Sequence, residues 1–570
     1  MKYSVCFSVQ ASGPVRYAAS ELKRYLCASP SVEEVQMQGS EGIRIRLSES
    51  ASDLTGGAFR IRADASGVLV EAGDGAGVVY GAHALLEKMG YRFLAVDCDV
   101  IPAFPAEIKP GEEVQKPAFR ARELFWREAM DGSFAVRLRL NSARSTIRPE
   151  QGGKMMFYNF SHTFDALVPV SRWYDTHPEY FSEENGVRLR EKTQLCLTNP
   201  DVLRLCTEGV RAWADAHPEC NIFSVSMNDW YHPCQCPACR AVDAAEGSHA
   251  GTVIRFVNQV AEQVERTHPG IRIHTFAYLY CRRPPKLTRP RDNVIVRLCS
   301  IECCFSHPIR ACRREHGGID VQYGSAAGFA VAPANGESYL QDLEGWSRIC
   351  RHLFIWDYTT NYANYLLPFP NLDVLQENLR LFRDYRVEGV FEQGNFSLGR
   401  SSALGPLKIY LLAKLLWNPD ADVECLIREF AQGYWRQAAR FMLEYVELWR
   451  HAAGDAHVGI YDMPDAPWLT DALLESAAHL LHLALEAAGE ETVRERVKRE
   501  MLSVRYAVLV REDPEDAGHA GRVDSFLRDA AGLGITELFE RKDWEDTATC
   551  LKKSRYTRDR ADVRGISYPI

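Results

Sequence analysis

The sequence predicts an α/β protein in three parts: an N-terminal α/β accessory domain over 1–112, a central (β/α)8 TIM-like barrel over 113–418, and an α-helical C-terminal domain over 419–570. Three observations predict it. Before the polar linker KPGEEVQKP at 109–117, helical stretches alternate with period-two strands. From 119 to 417 strand-like segments and amphipathic helices follow one another, the rhythm of a parallel α/β barrel. Beyond Asn418-Pro419-Asp420 nearly every segment carries apolar residues at three- and four-residue spacing.

Taken in order, YSVCFSV at 3–9 reads as a strand and 14–29 as a helix with Ala18, Leu22 and Leu26 on one face. Segments 42–48, 58–64 and 67–73 alternate apolar and polar residues, the last two as a hairpin. A helix over 76–89 stops at Gly90. Barrel strands are predicted at 120–125, 142–147, 194–197, 222–228, 272–278, 294–301, 353–356 and 389–392, with helices at 201–217, 252–267, 372–385 and 406–416. The tail helices fall at 423–433, 438–453, 471–488 and 490–510.

Hydrophobic content of 46% and charged content of 25% are those of a globular chain. A net charge of -9 and the lack of a basic run argue against a nucleic-acid partner. No window approaches the ~18 consecutive apolar residues of a membrane span. The opening MKYSVCFSVQASG has no apolar signal region, and together with seventeen cysteines this predicts a reducing, cytoplasmic setting. The 11% aromatic content serves large cores and sugar-stacking sites alike.

In a barrel the reacting groups stand where strands end and βα loops begin. That rule selects Asn228-Asp229, Tyr278, Glu302, Trp356-Asp357-Tyr358 and Glu392. In 222–228 the large apolar Phe223, Val225 and Met227 share one face and Ser224, Ser226 and Asn228 the other, which turns Asn228 toward the barrel mouth. Such a rim suits glycoside hydrolysis, in which a carboxylic acid protonates the leaving oxygen and a second carboxylate, or the substrate's own 2-acetamido group, supplies the nucleophile. Asn228, Asp229, Glu302 and Glu392 can fill the catalytic roles in more than one way. No cofactor is expected, since His-Glu-x-x-His and clustered His/Asp ligands are lacking. Cys234, Cys236 and Cys239, with His232 beside them and Cys303, Cys304 and His307 on another loop, offer ligands for a structural zinc. Paired Cys-x-x-Cys knuckles are missing, so free buried thiols are the other reading, and either way the triplet is scaffolding.

These same stretches, SVSMNDWYHPCQCPACRAVDAAEGSHAGTVIRFVNQVAE, HTFAYLYCRRPPK, RPRDNVIVRLCSIECCFSHP, LFIWDYTTNYANYLLPFPN and GVFEQGNF, resemble the domain of unknown function 4838, which includes glycoside hydrolase family 163. AASELKRYL and GVVYGAHALLEKMGYRFLAVDCDVIP resemble the accessory domain that precedes barrels in α-glucuronidases and β-hexosaminidases, and YLLAKLLWNPDAD resembles the start of their helical tail. The resemblance implies a retaining endo-β-N-acetylglucosaminidase that cleaves the chitobiose core of N-glycans with help from the substrate's acetamido group. In the related hexosaminidases an adjacent Asp-Glu pair closes strand four; Asn228 and Asp229 stand at the matching positions, so the proton donor is Asp229, Glu302 or Glu392. His162, Tyr278, Trp356, Asp357 and Tyr358 are the implied sugar contacts. An α-glucuronidase-like hydrolase and a non-catalytic glycan-binding protein are the alternatives.

Overall fold

A computed structural model describes residues 1–312, 339–397 and 402–540, with 545, 548, 551 and 552. The chain forms two compact units. The first takes Met1–Met155, Thr359–Arg380 and the described residues from Glu392 onward; the second takes the described residues of Met156–Tyr358 together with Leu381–Phe391.

The first unit opens with β1 (Lys2–Cys6), β2 (Glu34–Met37), β3 (Ile43–Ser48), β4 (Phe59–Asp64) and β5 (Gly67–Ala72), followed by the β6 (Arg92–Ala95) and β7 (Cys98–Val100) hairpin, β8 (Gly111–Gln115) and β9 (Ala121–Phe125). Six of them make one sheet in the order β2-β1-β3-β5-β4-β8. The predicted hairpin is the antiparallel β4–β5 pair, in register from Phe59 opposite Ala72 to Asp64 opposite Gly67. Gly67 has φ +122 and a Cβ there would lie 2.2 Å from the Arg44 carbonyl oxygen, so only glycine fits this turn. Helix Gly75–Lys88 is started by Asp74, whose carboxylate accepts from the Gly77 amide at 2.8 Å, and Gly90 follows its end at φ +98.

Helix Gly405–Trp417, expected at 406–416 as the last of the barrel, falls in this unit instead, and Val423–Tyr434, Ala439–Arg450, Asp471–Ala487 and Glu491–Leu509 match the predicted tail to within a few residues, with His519–Gly532 after them. Their apolar stripes bury Leu407, Leu411, Phe430, Tyr445, Leu481 and Val497. Trp417 stacks on Phe59 at 5.8 Å, meets Tyr80 edge-on at 5.7 Å and lies under Arg122 and Arg139. Half-buried Glu87 is paired with both Arg139 and Lys414. No helix among the described residues is long and apolar enough to cross a membrane.

The second unit is built on a curled parallel sheet, a half-barrel. Its strands are β10 (Phe157–Tyr158), β13 (Ile222–Ser224), β14 (Arg272–Ala277), β15 (Val294–Cys299), β16 (His352–Tyr358) and β17 (Gly389–Gln393), side by side in that order. The small pair β11 (Glu183–Glu184) and β12 (Val187–Arg188) lies between β10 and β13 in sequence. Pairing from β10 through β16 is parallel. Helices Pro200–Ala216, Pro237–Glu246, Ala250–Glu265 and Tyr339–Ile349 cover its connections. Asn199 caps the first of them, accepting from the Asp201 amide at 2.9 Å.

The full eightfold barrel expected from the sequence is not formed by the described residues. Residues 142–147 are turn and loop, because Ser145 Oγ donates to the Ser142 carbonyl at 2.7 Å and Lys154 Nζ to the Ser145 carbonyl at 2.6 Å, local bonds that compete with a ladder. Segment 194–197 stays outside the sheet, with a single bridge from Leu195 to Phe181, and Phe157–Tyr158 is the strand beside β13. The strands expected at 272–278, 294–301, 353–356 and 389–392 correspond to β14 through β17.

Candidate active site

The ends of β13 to β16 carry most of the residues singled out by the sequence. Past Ser224 the chain stays extended but changes partners. Val225 N donates to the His274 carbonyl at 2.8 Å, while Ser226 exchanges bonds with Thr163: Thr163 N donates to Ser226 O and Ser226 N to Thr163 Oγ1, each at 3.0 Å. That lifts Asn228 and Asp229 to the rim. Asn228 is buried, and its amide is committed to neighbouring loops: Oδ1 accepts from Asp165 N at 3.0 Å and Nδ2 donates to Thr193 O at 2.9 Å. Gln194 clamps its backbone, accepting from Asn228 N at 2.9 Å and donating to Asn228 O at 2.8 Å and Trp230 O at 2.6 Å. Asn228 therefore fixes the loop and does not face solvent.

Asp229 does. Its side chain keeps 23% exposure, against 8% for the Glu302 side chain. Residues Asp357 and Glu392 keep 5% and 1%. Tyr278, at the end of β14, donates its hydroxyl to Asp229 Oδ1 at 3.1 Å. His162 Nε2 lies 3.9 Å from the same oxygen. His162 Nδ1 is 2.9 Å from the Met227 carbonyl, which can only accept, so Nδ1 carries the proton and Nε2 is turned toward Asp229. His162 is held at φ 53, in the left-handed region that L side chains seldom occupy. From His162 a row of rings runs along the rim: Phe276 at 5.4 Å, Trp356 at 5.6 Å from Phe276, and Tyr358 at 6.4 Å from Trp356.

Under this row lies a buried cation. Arg297, fully buried in β15, sits 4.4 Å from the Phe160 ring and 5.4–5.6 Å from Phe157, Phe354 and Phe391. Its Nε donates to His274 Nε2 at 3.1 Å, so the other ring nitrogen carries the proton toward Ser224 Oγ at 3.1 Å, and Ser224 donates on to Ser226 at 2.9 Å. Burial, reinforced by the Arg297 charge, drives His274 well below the usual histidine range and keeps it neutral.

The other carboxylates are buried. Phe354 and Trp356 face Arg297, so Asp357 follows the opposite row of β16 with Leu353 and Ile355. Ser300 Oγ donates to Asp357 Oδ1 at 2.5 Å and Tyr358 N at 3.0 Å; burial outweighs both and lifts Asp357 to about 6. Glu302 accepts from Arg282 at 3.0 Å, and Arg282 also reaches Asp342 on helix Tyr339–Ile349 at 2.6 Å. All three are buried. Burial pushes the Cys303 thiol well up and the charges of Glu302 and Asp357 add to it, which sets these two acids around one loop. Glu392, at the end of β17, belongs to the first unit.

The site thus brings Asp229, Tyr278 and His162 together beside the rings of Phe276, Trp356 and Tyr358, while Asp357 follows the opposite row of β16 and Glu302 is buried in the turn after β15 against Arg282. Sequence reasoning missed Arg297, although a lone arginine in the buried run VIVRLC is a signal that a strand needs a charge inside. It also missed Arg282 and Asp342 as partners of Glu302, and Cys196, whose thiol lies beside Cys234, Cys236 and Cys239. Those four sulfurs form a candidate metal site within this unit; Cys304, His307 and Cys312 belong to a second group of potential ligands.

Among solved structures, the chain is similar to a family GH115 4-O-methyl-α-glucuronidase with specificity for decorated arabinogalactans: 11% identity, TM-score 0.57, covering 98% of this chain and 80% of the other. A GH138 enzyme targeting pectin rhamnogalacturonan II matches at 9% identity and TM-score 0.50, covering 97% and 98%. A Flavobacterium johnsoniae chitobiase matches at 11% identity and TM-score 0.45, covering 96% and 95%. At these identities the first two show the fold alone. No curated protein matches the chain. Residues 100–447, well over half of the sequence, match the family described as Domain of unknown function (DUF4838), and the chain belongs to that family.

Proposed function

We propose that this protein is a glycoside hydrolase that cleaves β-linked N-acetylglucosamine-containing oligosaccharides internally, with retention, using the substrate's 2-acetamido carbonyl as nucleophile and Asp229 as acid and base. The observation that carries the reading is the exposure of Asp229 beside a row of rings, while Glu302 is buried against Arg282 and Asp357 against Ser300. A mechanism with a protein nucleophile needs two carboxylates at the sugar, whereas a substrate-assisted one takes its nucleophile from the substrate and needs from the protein only the group that gives and takes the proton. In the first step Asp229 gives its proton to the leaving oxygen as the acetamido oxygen bonds to the anomeric carbon. In the second, water opens that ring and returns a proton to Asp229. The Tyr278 hydroxyl holds Oδ1 and leaves Oδ2 for the substrate. Trp356, half-buried in that row, offers a flat face to a sugar ring, with the buried Tyr358 behind it in the row.

The fold likeness to a GH115 4-O-methyl-α-glucuronidase over 98% of the chain supports a second reading, a hydrolase that releases a uronic acid with a carboxylate pair. Incubation with a complex-type N-glycan bearing an intact chitobiose core, beside glucuronide-decorated oligosaccharides, separates the two by product mass. Release of a glycan ending in one N-acetylglucosamine is expected. Release of uronic acid alone would replace the first reading by the second, and binding without turnover of any substrate would sink both.

A further inference from the structure

The motif Cys234-x-Cys236-x-x-Cys239 leaves a tetrahedral metal one ligand short, and the structure supplies that ligand. We propose that Cys196, Cys234, Cys236 and Cys239 bind one zinc ion as a closed tetrathiolate site that locks the loop carrying Asp229. The four sulfurs all lie within 4.8 Å of one another, and all four residues are buried. Cys196 Sγ and Cys236 Sγ are 3.7 Å apart. Zinc–thiolate bonds of about 2.3 Å arranged tetrahedrally require sulfur–sulfur edges of about 3.8 Å. All four are unbridged cysteines, and a disulfide would bring two of the sulfurs to about 2.05 Å.

The surroundings suit thiolates. Four of them on a divalent ion leave an excess of negative charge that buried surroundings must offset. Glu183 N points at Cys234 Sγ from 3.4 Å, and Arg188 places a guanidinium nitrogen 3.7 Å from the same sulfur. The Thr198 hydroxyl is 3.3 Å from Cys239 Sγ. Cys236 is the N-cap of helix Pro237–Glu246 and Cys239 lies in its first turn, where the helix dipole favours anions. Donors of this kind around a cluster are what orient metal ligands. His232, an alternative ligand from the sequence, is instead 3.0 Å from Glu184. The ion would have no open position for substrate, so its role is structural.

What it would tie together is specific. Cys196 follows the segment of Thr193 and Gln194 that clamps Asn228, and the other three ligands follow Asp229 within ten residues. One ion would thus fasten both walls of the loop that aims Asp229. The site does not depend on the reaction proposed above, and its test does not use activity.

The test is metal analysis of the purified full chain, expressed with added zinc. One zinc per chain is expected, released together with four titrating thiols when an organomercurial is added. Cys239→Ser and Cys196→Ser should lose it, and Cys206→Ser, a buried cysteine outside the cluster, should keep it. Because the cluster variants can unfold, wild type is also loaded with cobalt in zinc's place. Strong sulfur-to-cobalt charge transfer and the intense visible bands of a tetrahedral tetrathiolate are expected. Wild-type chain that takes up neither metal, or whose mass shows a disulfide among these cysteines, would overturn the proposal, as would zinc retained in both cluster variants.

Discussion

The second unit treats its exposed and its buried carboxylates differently. On the rim, Asp229 meets a phenol and the edge of a histidine and remains in contact with solvent. In the interior, Glu302 and Asp342 share Arg282, and Asp357 rests against a serine hydroxyl and a backbone amide. The first arrangement leaves a carboxylate able to exchange protons with a substrate. The second satisfies each charge internally, as the first unit does with Glu87, which Arg139 and Lys414 hold down at about 2 against the cost of burial. A shifted titration is therefore a weak marker of a reagent here. Glu500, among the first unit's helices, is lifted to about 7 by burial while it accepts from Leu404 N.

The comparison can be broken most sharply at the rim. Asp229→Asn should lower kcat/KM on an oligosaccharide substrate by about 10²–10⁴-fold, the usual contribution of a general acid, with an unchanged melting temperature. Steady-state kinetics and calorimetry on one preparation check both halves. In the interior the order should reverse. Arg282→Met strands Glu302 and Asp342 without their shared cation and should cost about 3–5 kcal/mol of stability, read by denaturant unfolding.

Asp357 sharpens the contrast through pH. Its carboxyl is raised to about 6 in the folded chain, so the native state holds that proton more tightly than the unfolded state does. Its favourable contribution is complete below the ordinary aspartate range and is lost as pH rises through about 6. Asp357→Asn removes the buried charge and should stabilise the protein at pH 7 by up to about 3 kcal/mol, with the gain vanishing near pH 4. Melting curves across that range would show it, and a gain independent of pH would contradict the burial argument. The smallest effect is expected for Tyr278→Phe, which removes one hydrogen bond to Asp229 and should cost about 1–2 kcal/mol of transition-state stabilisation in kcat/KM.

Much of this was legible in the sequence, for physical reasons that differ by region. The tail helices carry a strong 3.6-residue period, and β14 to β17 are long apolar runs, so both could be located closely. Phe157–Tyr158 is a two-residue strand with no period to detect, and 142–147 has an alternating pattern that its own serine and lysine bonds override. At the site, Asp229, Tyr278 and Trp356 follow from strand ends alone. The burial of Glu302 does not, because Arg282 and Asp342 come from separate loops and helices. Cys196 was invisible in the same way, lying well before the motif it completes.

The most direct measurement compares two substrates on four enzymes: the oligosaccharide itself and its activated aryl glycoside, with wild type, Asp229→Asn, Glu302→Gln and Glu392→Gln. An acid matters for a poor leaving group and little for one that departs unaided. In kcat/KM, which reports the first step, Asp229→Asn should lose about 10³-fold on the oligosaccharide and less than about tenfold on the aryl glycoside, a split the other two variants should not show. Full activity of Asp229→Asn on both substrates, or the same split appearing in Glu302→Gln or Glu392→Gln instead, would contradict the assignment of the exposed carboxylate.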